Sequence, residues 1–173
     1  MALNTVHVIL RVIHLICGVY WAGTLFFLST LLQPSVAEAG PEGGKVVQAL
    51  MRRRFLEIVP VMALLTIISG IELFRRASGG FSTEWMATGP GLSLTIGALS
   101  ALVAFTIGIT VLRPAAKRTG PLAQSAQQLP EGPEREARMA EVQMLRRRAA
   151  VGGRWVAALL AVAVVGMAIF RYM

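Results

Sequence analysis

The chain has 173 residues, of which 55% are hydrophobic, with a mean hydropathy of +0.63 and a formal charge of +8. Its apolar residues gather in a few long runs rather than recurring at amphipathic spacing, which excludes an ordinary water-soluble core and describes a membrane protein. Most basic residues flank those runs, where membrane-proximal loops belong, so no nucleic-acid partner is expected. The one cysteine, Cys17, excludes an intrachain disulfide framework.

A helix needs about 20 apolar residues to cross the hydrocarbon at about 1.5 Å each. Four segments meet that need, predicting an all-α, integral membrane four-helix bundle of one domain. The first covers residues 12–32, ending before Pro34, with helical pattern reaching back through Arg11 to a span of about 6–32. Its apolar core is too long for a cleaved signal peptide, although Ser35-Val36-Ala37 follows it. The second covers 55–74, between Arg52-Arg53-Arg54 and Arg75-Arg76. The third covers 91–112, bounded by Pro90 and by Pro114, because proline fits a helix edge better than its interior. Segment 113–152 is then a cytoplasmic polar loop. It opens with a Pro/Gly/Gln-rich connection at 114–133 and contains a helix over 133–150, acidic at its start and basic at its end, as the helix dipole favours. That helix lies on the inner membrane surface or leads into the fourth span, 153–170. No internal repeat is evident.

Loops 33–54 and 113–154 share one face and carry most of the lysines and arginines. Arg11, Arg75, Arg76 and Arg171 are left on the face holding the termini. The positive-inside rule therefore puts both termini on the outer, periplasmic side.

Ionisable groups within hydrocarbon are costly and mark functional candidates. In the first span His7, Arg11, His14 and Gly18 recur at helical spacing, predicting a polar stripe toward the bundle interior. Counting from the ends of the runs puts His14 about 3–5 Å below the outer boundary. Glu72, residues 93–95 and Met167 fall at the same level, while Glu57 and Met62 lie near the opposite surface. Tyr20 and Trp21 would pack in the interior below His14, with Trp85 and Met86 above it.

One chemistry this pattern permits is haem b ligation by the neutral imidazole of His14, with Met167 or a second copy of the protein on the other axial side. His7 and His14 cannot clamp one haem, being about 10.5 Å apart along the axis, and no third histidine exists. A second chemistry is copper bound by His14 and Cys17, with His7 contributed through a partner. The plain structural alternative is a hydrogen bond from His14 to Glu72 or to a backbone carbonyl. Arg11 would then pair with Glu72 across the interface, and Glu57 with Arg53 or Arg54 one turn away. Small residues Ser93, Gly97, Ala101, Ala104 and Gly108, and Ala157, Ala161 and Gly166, predict close helix contacts within the bundle or in a homodimer. Membrane lipids are expected partners, and a non-catalytic accessory role in a larger membrane complex is a further class.

Leu10-Arg11-Val12-Ile13-His14-Leu15, followed by Trp21-Ala22-Gly23-Thr24-Leu25-Phe26-Phe27, resembles the first helix of a bacterial membrane superfamily that includes J-type protoporphyrinogen oxidases and copper-resistance D proteins. Met51-Arg52-Arg53-Arg54, Ile58-Val59-Pro60-Val61-Met62 and Thr66-Ile67-Ile68-Ser69-Gly70 resemble its second helix. The resemblance covers about the first 75 residues. It implies a multi-pass protein of the bacterial inner membrane, with haem at His14. Those oxidases have a tryptophan and lysine pattern in the third helix, whereas Gly91-Leu92-Ser93-Leu94-Thr95-Ile96-Gly97-Ala98 has none, so the oxidase activity is not carried over.

Overall fold

The computed structural model describes residues 2–173, and among them every regular element is helical. Helix α1 spans Ala2–Phe27, passes through a π-helical segment, Leu28–Leu32, and continues as α2, Gln33–Glu38. Helix α3, Gly40–Arg52, leads to α4, Phe55–Ala77. After a short turn containing α5, Thr83–Met86, helix α6 runs over Gly89–Ile107, crosses a second π segment, Gly108–Leu112, and continues as α7, Arg113–Gln128. Helix α8, Pro133–Ile169, returns along it.

Both spans expected to stop before a proline carry on past it. Proline lacks the N–H that closes a helical turn, and its ring presses on the carbonyl four residues back. A widened π turn relieves both problems without ending the helix. Gln33 N–H accordingly bonds Leu28 O just before Pro34, and Arg113 N–H bonds Gly108 O just before Pro114. The connection at 114–133, expected as a loop, is therefore helical as far as Gln128, with Pro121 inside the helix. The helix over 133–150 and the fourth span form one rod of 37 residues, about 55 Å long. The two π turns also share a local sequence pattern. Thr30-Leu31-Leu32-Gln33-Pro34 and Thr110-Val111-Leu112-Arg113-Pro114 occupy equivalent points of two helical hairpins, α1 with α4 and α6 with α8.

Each hairpin is closely packed within itself, and the two meet along a shared core. That core comprises Trp21, Ala22 and Leu25 from α1, Val59 and Ala63 from α4, Ala101 and Ala104 from α6, and Val156, Leu160 and Ala163 from α8. Trp21 meets Phe105 edge-on at 6.3 Å between ring centres, a favourable aromatic geometry across the hairpins. The outward faces are apolar too: Ile16, Val19, Ile68, Leu99, Val103 and Val165 are exposed. An outer surface of this kind suits lipid rather than water. Four helices, within Thr5–Glu38, Phe55–Ala77, Gly89–Gln128 and Pro133–Tyr172, are long and apolar enough to cross a membrane. At 40 residues each, about 60 Å, the last two exceed an about 30 Å hydrocarbon layer. Their α7–α8 extension keeps a seam of its own in Ala115, Ala126, Val142 and Leu145.

The small-residue stripe on α6 does what its spacing predicts: Ser93, Gly97, Ala101 and Ala104 are buried. Gly166 comes so near α6 that a Cβ there would lie 2.8 Å from Ser93 O, and Ser93 Oγ donates to Gly166 O at 3.0 Å. Ala157 is buried as expected, but Ala161 faces outward and Ala163 takes the contact, while Gly108 lies in the π segment with open space beside it.

Candidate functional site

His14 faces α4. Its Nδ1 lies 2.8 Å from the carbonyl oxygen of Thr66 and 3.4 Å from Ser69 Oγ. A carbonyl only accepts, so Nδ1 carries the hydrogen and donates it. The neutral ring then keeps its lone pair on Nε2. Thr66 O offers two lone pairs, one of them used by the helical ladder; Ser69 Oγ also lies 3.1 Å from it, but that hydroxyl has a closer acceptor in Leu65 O at 2.6 Å, which leaves the second lone pair to His14. Of the alternatives for His14, a backbone carbonyl partner is what occurs, and Glu72 is not involved.

Glycine makes the approach feasible. A Cβ on Gly70 would fall 2.8 Å from His14 Cε1 and 3.1 Å from Nδ1, so the imidazole lies directly against that bare backbone. One turn further along α1, a Cβ on Gly18 would contact Thr66 Cγ2 at 3.4 Å. The two pairs, His14 with Gly70 and Gly18 with Thr66, fix the antiparallel register of α1 on α4. They set His14 deeper than the expected level of Glu72, about half a turn to a turn further toward the centre of the span.

Glu72 is committed elsewhere. Its carboxylate accepts from Arg75 Nε and Nη2 and from Arg76 Nε, each at 2.7 Å. The expected Arg11–Glu72 pair therefore does not form: helical neighbours three and four residues on reach the carboxylate first, and Arg11 is exposed. The same local rule holds at the other end of α4, where Glu57 lies 3.7 Å from Arg54.

The predicted stripe splits. His14 and Gly18 turn toward α4, His7 is half-buried, and Arg11 turns outward. Cys17 is buried at 7% exposure and free, three residues from His14 on α1. Among the described residues no group of three His, Cys, Asp or Glu side chains is gathered to hold a metal ion. Met167 is half-buried beside Gly166 at the α6–α8 contact. Trp21 is core, at 4% exposure, as expected, but Tyr20 is 42% exposed and points outward, contrary to the interior place expected for it. The buried face of α1 runs through Cys17, Trp21, Ala22 and Leu25, and Tyr20 falls outside it. Trp85 and Met86 are half-buried in the turn after α4, where Phe74 meets Trp85 edge-on at 5.9 Å and stacks with Phe81 at 6.0 Å. Gly79 and Gly80, at φ of 64° and 96°, supply the left-handed backbone this turn requires.

Thr66, Ser69 and Gly70, the immediate surroundings of His14, are missing from the set that sequence nominated. Their signal was small and hydroxylated residues at spacings of three and four within an apolar span, opposite a histidine. No protein family, curated protein or solved structure matches the chain.

Proposed function

We propose that this protein is a small b-type haem-binding redox protein of the bacterial inner membrane, in which His14 Nε2 would hold the haem iron. The observation that carries this reading is the 2.8 Å bond from His14 Nδ1 to Thr66 O. Histidines that ligate metals characteristically donate the other ring N–H to a carbonyl or carboxylate, which fixes the tautomer and raises ligand basicity. In the proposed site the Thr66 carbonyl holds the imidazole, Ser69 Oγ stands as a second polar neighbour, and Gly70 gives the ring room. Bound haem supplies one-electron transfer. A second ligand would come from a second copy of the chain, or from Met167 if it reached the haem from its place at the α6–α8 contact. The resemblance of the first two helices to the oxidase and copper-resistance superfamily belongs to this proposal, without protoporphyrinogen oxidation, for which the third-helix lysine is lacking. Both termini lie outside, as the basic loops 33–54 and 113–154 favour.

The test is the visible spectrum of protein purified in mild detergent from cells supplied with haem, with the haem quantified. Wild type and His7→Ala are expected to show a Soret band that His14→Ala lacks. A wild-type preparation colourless after haem addition would refute the proposal and favour an accessory-subunit role, and a band that survives in His14→Ala would refute the ligand assignment.

A further inference from the structure

At the end of the bundle away from the termini, α6 and its π segment pack against α8 and leave an open groove on the outer surface between them. Ile107 and Val111 form one wall and Val151 and Trp155 the other, with Arg147 and Arg148 at the lip. Gly152 sets the floor. Lacking a side chain, it lets Leu112 and Val111 approach so closely that a Cβ would lie 3.0 Å and 3.5 Å from them. Trp155 and Val151 are 61% and 46% exposed, so the groove has no cover from this chain.

Two further facts define what fits. Arg147 and Arg148 are exposed and take part in no ion pair among the described residues, unlike Arg135 and Arg138, which pair with Glu131 and Glu134 on the same helical hairpin. They also sit one turn beyond Val151, about 5 Å along the helix. Where Val151 and Trp155 mark the edge of the hydrocarbon, that offset puts both guanidinium groups in the polar layer, about 5–7 Å deep on each face of a bilayer. A ligand here must present an anion at headgroup height and an apolar chain below it.

We infer that this groove binds an anionic diacyl phospholipid, its phosphate held between Arg147 and Arg148 and one acyl chain lying along Val111, Val151 and Trp155. Guanidinium groups suit phosphate oxygens through paired N–H donors. The apolar walls distinguish a lipid from free phosphate, which would gain nothing from them. Trp155, exposed at the basic end of the fourth span, is the kind of residue that favours the membrane interface. This inference is independent of haem binding.

The experiment reads Trp155 fluorescence, as the difference between wild type and Trp155→Phe, in phosphatidylcholine vesicles containing a minor fraction of brominated phosphatidylglycerol or the same fraction of brominated phosphatidylcholine. Bromine quenches an indole it touches. Quenching by the anionic lipid is expected to exceed that by the zwitterionic one, corresponding to an about fivefold preference, the size of one basic-residue contribution at an anionic surface. Arg147→Gln/Arg148→Gln should abolish the preference, while Arg52→Gln/Arg53→Gln, which removes equal charge elsewhere, should keep it. Equal quenching by the two lipids in wild type would overturn the inference, as would a preference that survives in Arg147→Gln/Arg148→Gln or disappears in Arg52→Gln/Arg53→Gln. Loss of the preference on adding inorganic phosphate at constant ionic strength would also overturn it, assigning the arginines to a soluble anion.

Discussion

Replacing Gly70 by alanine tests the His14 contact without touching the histidine. The new methyl carbon would arrive 2.8 Å from His14 Cε1, whereas non-bonded carbons settle at about 3.5–4.0 Å. The ring must therefore retreat by about 1 Å, which stretches its 2.8 Å bond to Thr66 O beyond the range in which a hydrogen bond persists. Overpacking of this kind costs about 1–3 kcal/mol, and a polar contact between membrane helices is worth about 0.6–1.7 kcal/mol. Alanine returns about 1 kcal/mol of helix propensity over glycine. The net expectation is a loss of about 2 kcal/mol. In a His14→Ala background there is no ring to displace, so Gly70→Ala should be neutral or stabilising by about 1 kcal/mol. Reversible unfolding in mixed detergent micelles gives both values, and the cycle isolates a coupling of about 2–3 kcal/mol. Gly23→Ala serves as the control, since nothing lies within 4 Å of a Cβ there. An equal penalty for Gly70→Ala with and without His14 would refute the contact.

Gly166→Ala should be harsher, because its Cβ would strike backbone, 2.8 Å from Ser93 O and 3.4 Å from Gly97 Cα. We expect a loss of about 3 kcal/mol in the same unfolding assay, and a loss no larger than that of Gly23→Ala would contradict the close α6–α8 approach. Cys17, at 7% exposure, should resist a membrane-permeant maleimide in the folded protein and react only after denaturation. A cysteine placed at exposed Gln127 in a Cys17→Ser background should react at once. Prompt labelling of Cys17 would mean that the α1 face assigned here is turned the wrong way.

The four spans were legible because charge brackets the apolar runs, as Arg52-Arg53-Arg54 and Arg75-Arg76 do around the second. Their ends were not. Pro34 and Pro114 ordinarily stop a helix, and nothing in hydrophobic periodicity announces the π turns that let both helices continue. The level at which His14 meets α4 was not legible for a related reason: α1 is helical from Ala2, and its register is set by uncharged contacts with Thr66 and Gly70. Glu72 was readable by the spacing rule that correctly paired Glu57 with Arg54, since Arg75 and Arg76 follow it at three and four residues. His14 itself stood out as an ionisable group in a span, but its supporting residues carry no charge and so carried no alarm.

Every role proposed for His14 requires its hydrogen on Nδ1, bonded to Thr66 O, and Nε2 left free to ligate. In protein labelled with ¹⁵N-histidine and carrying His7→Gln, a single imidazole remains, and its two nitrogens are distinguishable by NMR in detergent micelles without haem. The account predicts a protonated Nδ1 and a bare Nε2. A proton found on Nε2 with Nδ1 bare would contradict it, because two acceptors, Nδ1 and the Thr66 carbonyl oxygen, would then face each other at 2.8 Å.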